Sequence, residues 1–117
     1  DDRPQLPRHP PLAGFPDPVI LLVGTVRLPP ENLAAARPVM ARMVEASRAE
    51  QGCLAYSYAE DLFDPGLIRV NETWTDLAAL EAHFRSDHIR DWRAAWPALG
   101  IGDRHILRYE VGEASES

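Results

Sequence analysis

The stretch from Cys53 to Trp74 limits the possible folds of this chain more than any other. Leu54, Tyr56 and Tyr58 alternate with Cys53, Ala55 and Ser57, the period of a strand with two distinct faces. Asp64-Pro65-Gly66 follows, with proline and glycine where a type II turn favours them. Leu67–Trp74 then runs back. Ile68, Val70, Glu72 and Trp74 share one face, and Leu67, Arg69, Asn71 and Thr73 share the other. The pattern predicts an antiparallel hairpin with apolar side chains on both faces, so a sheet built around it needs cover on both sides.

The flanking segments supply one of those covers. Val19–Leu28 is an apolar run that reads as a central strand. Gly24 in its middle points to a bulge or to another backbone passing close by. Pro29-Pro30-Glu31 opens a helix in the manner a first turn favours. Leu33, Ala36, Met40, Met43, Val44 and Ser47 recur on one face of it. Pro38 lies inside and predicts a kink or a late start, and Gly52 ends the helix. After the hairpin, Thr75-Asp76 caps a second helix whose apolar face carries Leu77, Leu80 and Phe84. Ser86-Asp87 splits it. The piece beyond carries Ile89, Trp92 and Trp96 and is closed by Pro97 and Gly100. His105–Val111 is the last strand.

The order is βαββαβ with the second helix split. Right-handed crossovers turn that order into an α+β, ferredoxin-like four-stranded antiparallel sheet with helices on one face. The other face is left bare yet apolar, so two subunits are expected to pack sheet against sheet as a homodimer.

Six of the 11 prolines fall in the first 18 residues, where they block both helix and strand. Residues 1–18 therefore read as an extended or disordered arm, 19–112 as the domain and 113–117 as a polar tail. Leu12 and Phe15 are the arm's candidates for packing on a partner subunit. The arm lacks the apolar core of a secretory signal. The net charge is −6, which argues against a nucleic-acid or anionic-membrane surface. No apolar run approaches the roughly 18 residues of a membrane span. All 12 basic residues are arginine, which removes Schiff-base and phosphate-loop lysines. The single cysteine, Cys53, excludes an intrachain disulfide and points to a reducing, cytoplasmic setting.

Three stretches together resemble the antibiotic biosynthesis monooxygenase superfamily of small dimeric α+β barrels. They are Ser47-Arg48-Ala49-Glu50-Gln51-Gly52-Cys53-Leu54-Ala55-Tyr56, Asp61-Leu62-Phe63-Asp64-Pro65, and Glu72-Thr73-Trp74-Thr75-Asp76 continuing through His83 to Ser86-Asp87-His88. The resemblance spans about Val19 to Val111. It implies a pocket between sheet and helices, with Trp74 as a pocket tryptophan and Val70 and Glu72 on its face. Anthrone oxygenases of that family carry an asparagine four positions before the tryptophan and a tyrosine six after it. Val70 and Leu80 stand there instead, which counts against anthrones. Haem-degrading members carry an asparagine on the first strand, and Val19–Leu28 has none.

Cofactor-free oxygenation needs a base, apolar walls and exclusion of water. His83 and His88 are the candidate bases, since histidine titrates nearest neutrality. Glu72 is a third candidate, as an orienting or catalytic carboxylate that needs His83 or an arginine as partner if buried. Trp74 and Trp92 can wall a flat aromatic ligand, with Val70 and Leu80 beside them. Tyr56 and Tyr58 serve either as dimer anchors or as hydrogen-bond donors to the ligand, depending on which face they take. No metal is expected, because His83 and His88 sit about 140° apart on a continuous helix. Glu72 completes a two-histidine, one-carboxylate set only if the break at Ser86 turns His88 back.

The function expected from all this is a monooxygenase without metal or flavin, with a small aromatic hydroquinone or polyketide-like enol and O₂ as its partners. The alternative is a non-oxidative barrel that binds a small molecule or acts as an isomerase or lyase.

Overall fold

The computed structural model describes residues 18–117. The arm before Pro18, with Leu12 and Phe15, lies outside the described residues. Strand β1 (Val19–Arg27) leads through a 3-10 turn (Pro30–Asn32) into helix α1 (Leu33–Arg48). Strands β2 (Cys53–Glu60) and β3 (Leu67–Trp74) follow, then helices α2 (Leu77–Phe84) and α3 (Asp87–Leu99), and finally β4 (Gly102–Val111). The sheet is antiparallel in the order β2-β3-β1-β4, the ferredoxin-like arrangement expected from the element order.

The hairpin turn is built as its residues require. Gly66 takes φ +91°, and Leu67 N donates to the Asp64 carbonyl at 3.1 Å. In β1, a Cβ at Gly24 would lie 1.9 Å from the His105 carbonyl oxygen of β4. The β1–β4 register shifts just beyond, between Thr25 and Arg27. Gly24 thus marks both a close approach and an adjoining irregularity.

The core forms between the sheet and the helices. Ile20, Leu22, Val26, Ile68, Val70 and Trp74 are buried from the strands, and Leu33, Ala36, Met40 and Met43 from α1. Full burial of a leucine or isoleucine contributes about 1.5–3 kcal/mol, so this one layer carries the domain. The helix tie to β2 is polar as well: Arg48 Nε donates to the Tyr56 carbonyl at 2.7 Å.

Some local expectations need correction. Helix α1 runs through Pro38 without a late start, since Leu33 already opens it behind the 3-10 turn. Pro97 lies inside α3 rather than closing it, and Gly100 with φ +70° is the cap. Strand β4 begins at Gly102, earlier than His105. In α2 the buried residues are Leu80 and His83, while Leu77 and Phe84 are exposed. A register shift between Cys53 and Ala55 breaks the β2 alternation at Leu54, which is exposed.

Among the described residues, no helix lies over the far face of the sheet. Val23 pairs with Leu107 and Leu21 with Tyr109 on that face. Leu107 is 63% exposed, Tyr109 47% and Val23 39%.

A Gly24→Ala substitution is expected to cost at least about 2 kcal/mol, because the added methyl overpacks against backbone that cannot move away cheaply. Urea unfolding measures it. An unchanged midpoint would mean that β4 passes β1 at a greater distance.

Candidate functional site

The connector between α1 and β2 assembles the site. Gly52 has φ +88°, and a Cβ there would meet the Ala79 Cβ at 2.6 Å. Thr75 N donates to the Gly52 carbonyl at 2.9 Å. The end of α1 is thereby held against the start of α2, and Glu50 is carried with it. The Asp76 carboxylate accepts from Ala79 N at 2.8 Å and starts α2. The Ser86 hydroxyl accepts from Ile89 N at 3.4 Å and starts α3. It also donates to the His83 carbonyl at 2.6 Å, locking the break between the two helices.

That break overturns the spacing inferred for one continuous helix. His83 and His88 do not point apart, because both face the same oxygen of Glu50. His83 Nδ1 lies 2.5 Å from Glu50 Oε2, and His88 Nε2 lies 3.2 Å from it. The two nitrogens and the carboxylate oxygen lie within 4.8 Å of one another. The carboxylate of this set is Glu50, not Glu72.

The hydrogen bonding fixes the tautomer of His83. An ionised carboxylate only accepts, so His83 Nδ1–H donates to Glu50 and Nε2 keeps its lone pair. Nε2 faces Glu72 Oε1 at 3.9 Å, beyond hydrogen-bonding distance. Glu72 Oε1 accepts from Trp74 Nε1 at 3.0 Å instead. The expected partner of Glu72, His83 or an arginine, is therefore replaced by an indole. The His83 side chain is 1% exposed. Its burial pulls the imidazole pKa below the ordinary value, against the opposing pull of Glu50. Burial pushes the Glu72 carboxyl up, and the Trp74 hydrogen bond only partly offsets that. Burial likewise raises the Tyr56 and Tyr58 phenols, which stay protonated donors.

His83 and Glu72 line a cavity between the sheet and helices α2 and α3. Tyr56, Tyr58 and Trp92 line it too, so both tyrosines take the helix-covered face and not the bare one. The Tyr56 and Trp74 rings lie 5.2 and 4.6 Å from the His83 ring. Val70, Trp74 and Leu80 are fully buried in the core around the cavity and do not line it. His88 stands outside, beside Glu50. Trp96, Arg93 and Arg104 line the cavity and were missed in the sequence. The Trp96 indole nitrogen is buried with no hydrogen-bond partner among the described residues, and the buried Trp92 indole nitrogen has the Tyr58 hydroxyl beside it. The cavity measures about 10 Å³, room for roughly one water. The guanidinium of Arg93 lies over the Phe84 ring at 5.4 Å, and both side chains border the cavity.

Glu50 was the main omission. It stood inside a stretch already picked out for resemblance, two residues before Gly52. Its signal was positional: an acid beside a glycine that lets two helices approach.

Residues 19–95 match the family model described as antibiotic biosynthesis monooxygenase. A Deinococcus radiodurans protein, described as a candidate antibiotic biosynthesis monooxygenase, is 32% identical with a TM-score of 0.76. That similarity covers 85% of this chain and 97% of the other. A Pseudomonas aeruginosa structure is 27% identical with a TM-score of 0.69, covering 88% of this chain and 100% of its own. An uncharacterized protein of Synechocystis sp. is 27% identical over 100 residues, 86% of this chain and 67% of its own length.

Glu72 generates a stability test. A carboxyl whose pKa is raised by folding stabilises the fold below its unfolded pKa, and that contribution is lost as pH rises through the folded value. Glu72→Gln keeps an acceptor for Trp74 and removes the charge. Its urea midpoint should exceed that of the parent at pH 8, with the difference shrinking toward pH 4. A lower midpoint at pH 8 would show that the ionised carboxylate is well solvated.

Proposed function

We propose, from the premise that this chain belongs to the antibiotic biosynthesis monooxygenase family, that it oxygenates a small aromatic hydroquinone or polyketide-like enol without metal or flavin. One observation carries the reading. A buried imidazole turns a free Nε2 toward a small, partly open cavity walled largely by aromatic side chains while its other nitrogen is tied to a carboxylate.

His83 Nε2 takes the proton of a substrate hydroxyl. Glu50 holds the ring in that tautomer and stabilises the imidazolium that forms, the division of labour of a base and its orienting acid. The substrate anion passes an electron to O₂, and the radical pair combines at carbon. The peroxide anion takes the proton back from the His83 imidazolium, and loss of the hydrogen on the same carbon with cleavage of the O–O bond releases water and leaves one oxygen atom in the product as a carbonyl. Burial of the site protects the anion and radical from solvent. The indole N–H of Trp96, unpartnered among the described residues, is a donor for a substrate oxygen. Displacement of Phe84 and Arg93 opens the cavity to a ring-sized ligand. In this reading Glu72, held from behind by Trp74, lines the cavity, and His88 supports Glu50 without touching substrate.

Two buried apolar residues, Val70 and Leu80, favour the second reading, a non-oxidative binding protein, isomerase or lyase. Both readings use the same cavity, and O₂ consumption separates them.

The bare sheet face completes the proposed unit. Leu21, Val23, Leu107 and Tyr109 form one apolar surface across β1 and β4, and a second copy packed on it makes the sheet-to-sheet homodimer.

Oxygen uptake on a hydroquinone should exceed autoxidation with the metal-free protein. His83→Gln should lower it at least about 100-fold, the usual weight of a general base. Uptake equal to autoxidation, with a ligand that still raises the melting temperature, sinks the oxygenase reading in favour of the second. Sedimentation should give a dimer, and Val23→Asp combined with Leu107→Asp a folded monomer. A monomeric parent protein contradicts the dimer.

A further inference from the structure

The geometry points to a binding site for a zinc-type divalent transition metal on the outer side of His83, formed by His83 Nδ1, His88 Nε2 and Glu50 Oε2. Three separate elements supply the donors: the α1–β2 connector, α2 and α3. All three atoms already lie within 4.8 Å of one another. Two imidazoles and one carboxylate suit zinc, cobalt and their neighbours, and leave further coordination positions for water.

Two of the three donor separations are near what a metal needs; the third, between the two imidazole nitrogens, reaches up to 4.8 Å against the about 4.2 Å that two 2.1 Å bonds can span, so a ring has to close in as well as the carboxylate. Donors about 2.1 Å from a tetrahedral zinc lie roughly 3.4 Å apart. His88 Nε2 and Glu50 Oε2 are at 3.2 Å. His83 Nδ1 and Glu50 Oε2 are at 2.5 Å, so the carboxylate has to swing back by about 1 Å to admit the ion. Glu50 lies in a connector and its side chain is 17% exposed, which leaves that movement open. His88 is 24% exposed and gives solvent access.

The surroundings are those of a metal site as well. A ligating histidine generally points its other nitrogen at a carboxylate or carbonyl. Here the far nitrogen of His83 faces Glu72 Oε1 across 3.9 Å, too long for a hydrogen bond as it stands, so the two have to close by nearly 1 Å once Nε2 carries the proton; Glu72 is itself held by Trp74. The Ser86 hydroxyl lies 3.2 Å from His88 Nε2, the ligating nitrogen itself, so the metal has to displace that contact.

Metal and base compete for one tautomer. Binding at Nδ1 moves the ring proton to Nε2, where it faces Glu72 and the cavity. No proton is lost from the imidazole, but its lone pair no longer faces the substrate. The metal is thus an off-switch and not a cofactor. Metal binding itself stands on the geometry alone, and only the inhibition rests on the proposed oxygenase.

The test titrates chelator-treated full-length protein with Co²⁺ and then displaces it with Zn²⁺. One equivalent per chain should bind and develop the visible bands of a low-symmetry, four- or five-coordinate cobalt site. His88→Ala and Glu50→Gln should each weaken binding at least tenfold, with helix content checked by circular dichroism. His105→Ala, which removes the exposed histidine beside Asp103, should leave binding unchanged. In the parent protein, Zn²⁺ should shift the ring resonances of His83 and His88 and leave those of His105 in place. Absence of stoichiometric binding overturns the proposal, and so does binding that follows His105. Zinc should also suppress oxygen uptake. If zinc binds but uptake is absent even in metal-free protein, the metal site holds and the oxygenase reading fails.

Discussion

The bond between Glu50 and His83 is the interaction on which the candidate site depends. It joins the end of α1 to α2 across the Gly52 approach, and it decides which nitrogen of a buried ring carries the proton. A buried imidazole without that acceptor would strand a polar N–H, at a cost of about 1–3 kcal/mol. With the acceptor in place, the cost of burial falls on the opposite nitrogen, whose lone pair faces Glu72 and the cavity. Local chain geometry, a glycine with positive φ and a serine at a helix break, is what places these groups together.

The fold was largely legible because it rests on patterns that survive without tertiary information. Period-2 alternation marked β3 to the residue, the Pro65-Gly66 turn set the hairpin, and Ser86 split the last helical stretch as expected. The errors lie where tertiary contact overrides pattern. Leu77 and Phe84 are apolar at helical spacing yet exposed, because His83 takes the buried position between them. Pro97 lies in the last turn of α3, where its missing N–H forfeits one hydrogen bond to the preceding turn and Gly100 closes the helix three residues on.

The site was legible in part, and the reason is dimensional. Which residues share a strand face follows from parity, so Val70, Glu72 and Trp74 were placed on the helix side together. Which side chains converge from different elements does not follow from spacing. Treating His83 and His88 as one helix put them on diverging faces. The two-residue break rotates α3 enough to bring them to one oxygen. Glu50, in a polar connector, carries no periodic signal at all. Arg104 lines the cavity from β4 because the register across β1 carries it there.

One layer of helices and one bare apolar face make this sheet asymmetric, and the asymmetry separates two roles. The covered side encloses the histidine, the carboxylates and the aromatic walls. The bare side is where the proposed second copy packs, away from those groups. In the proposed function, the cavity's chemistry turns on a single tautomeric choice at His83. The most direct measurement is long-range ¹H–¹⁵N correlation on ¹⁵N-histidine-labelled, metal-free protein at neutral pH. The account predicts a protonated Nδ1 and an unprotonated Nε2 for His83. A protonated Nε2 with a bare Nδ1, or a fully protonated ring, would contradict it.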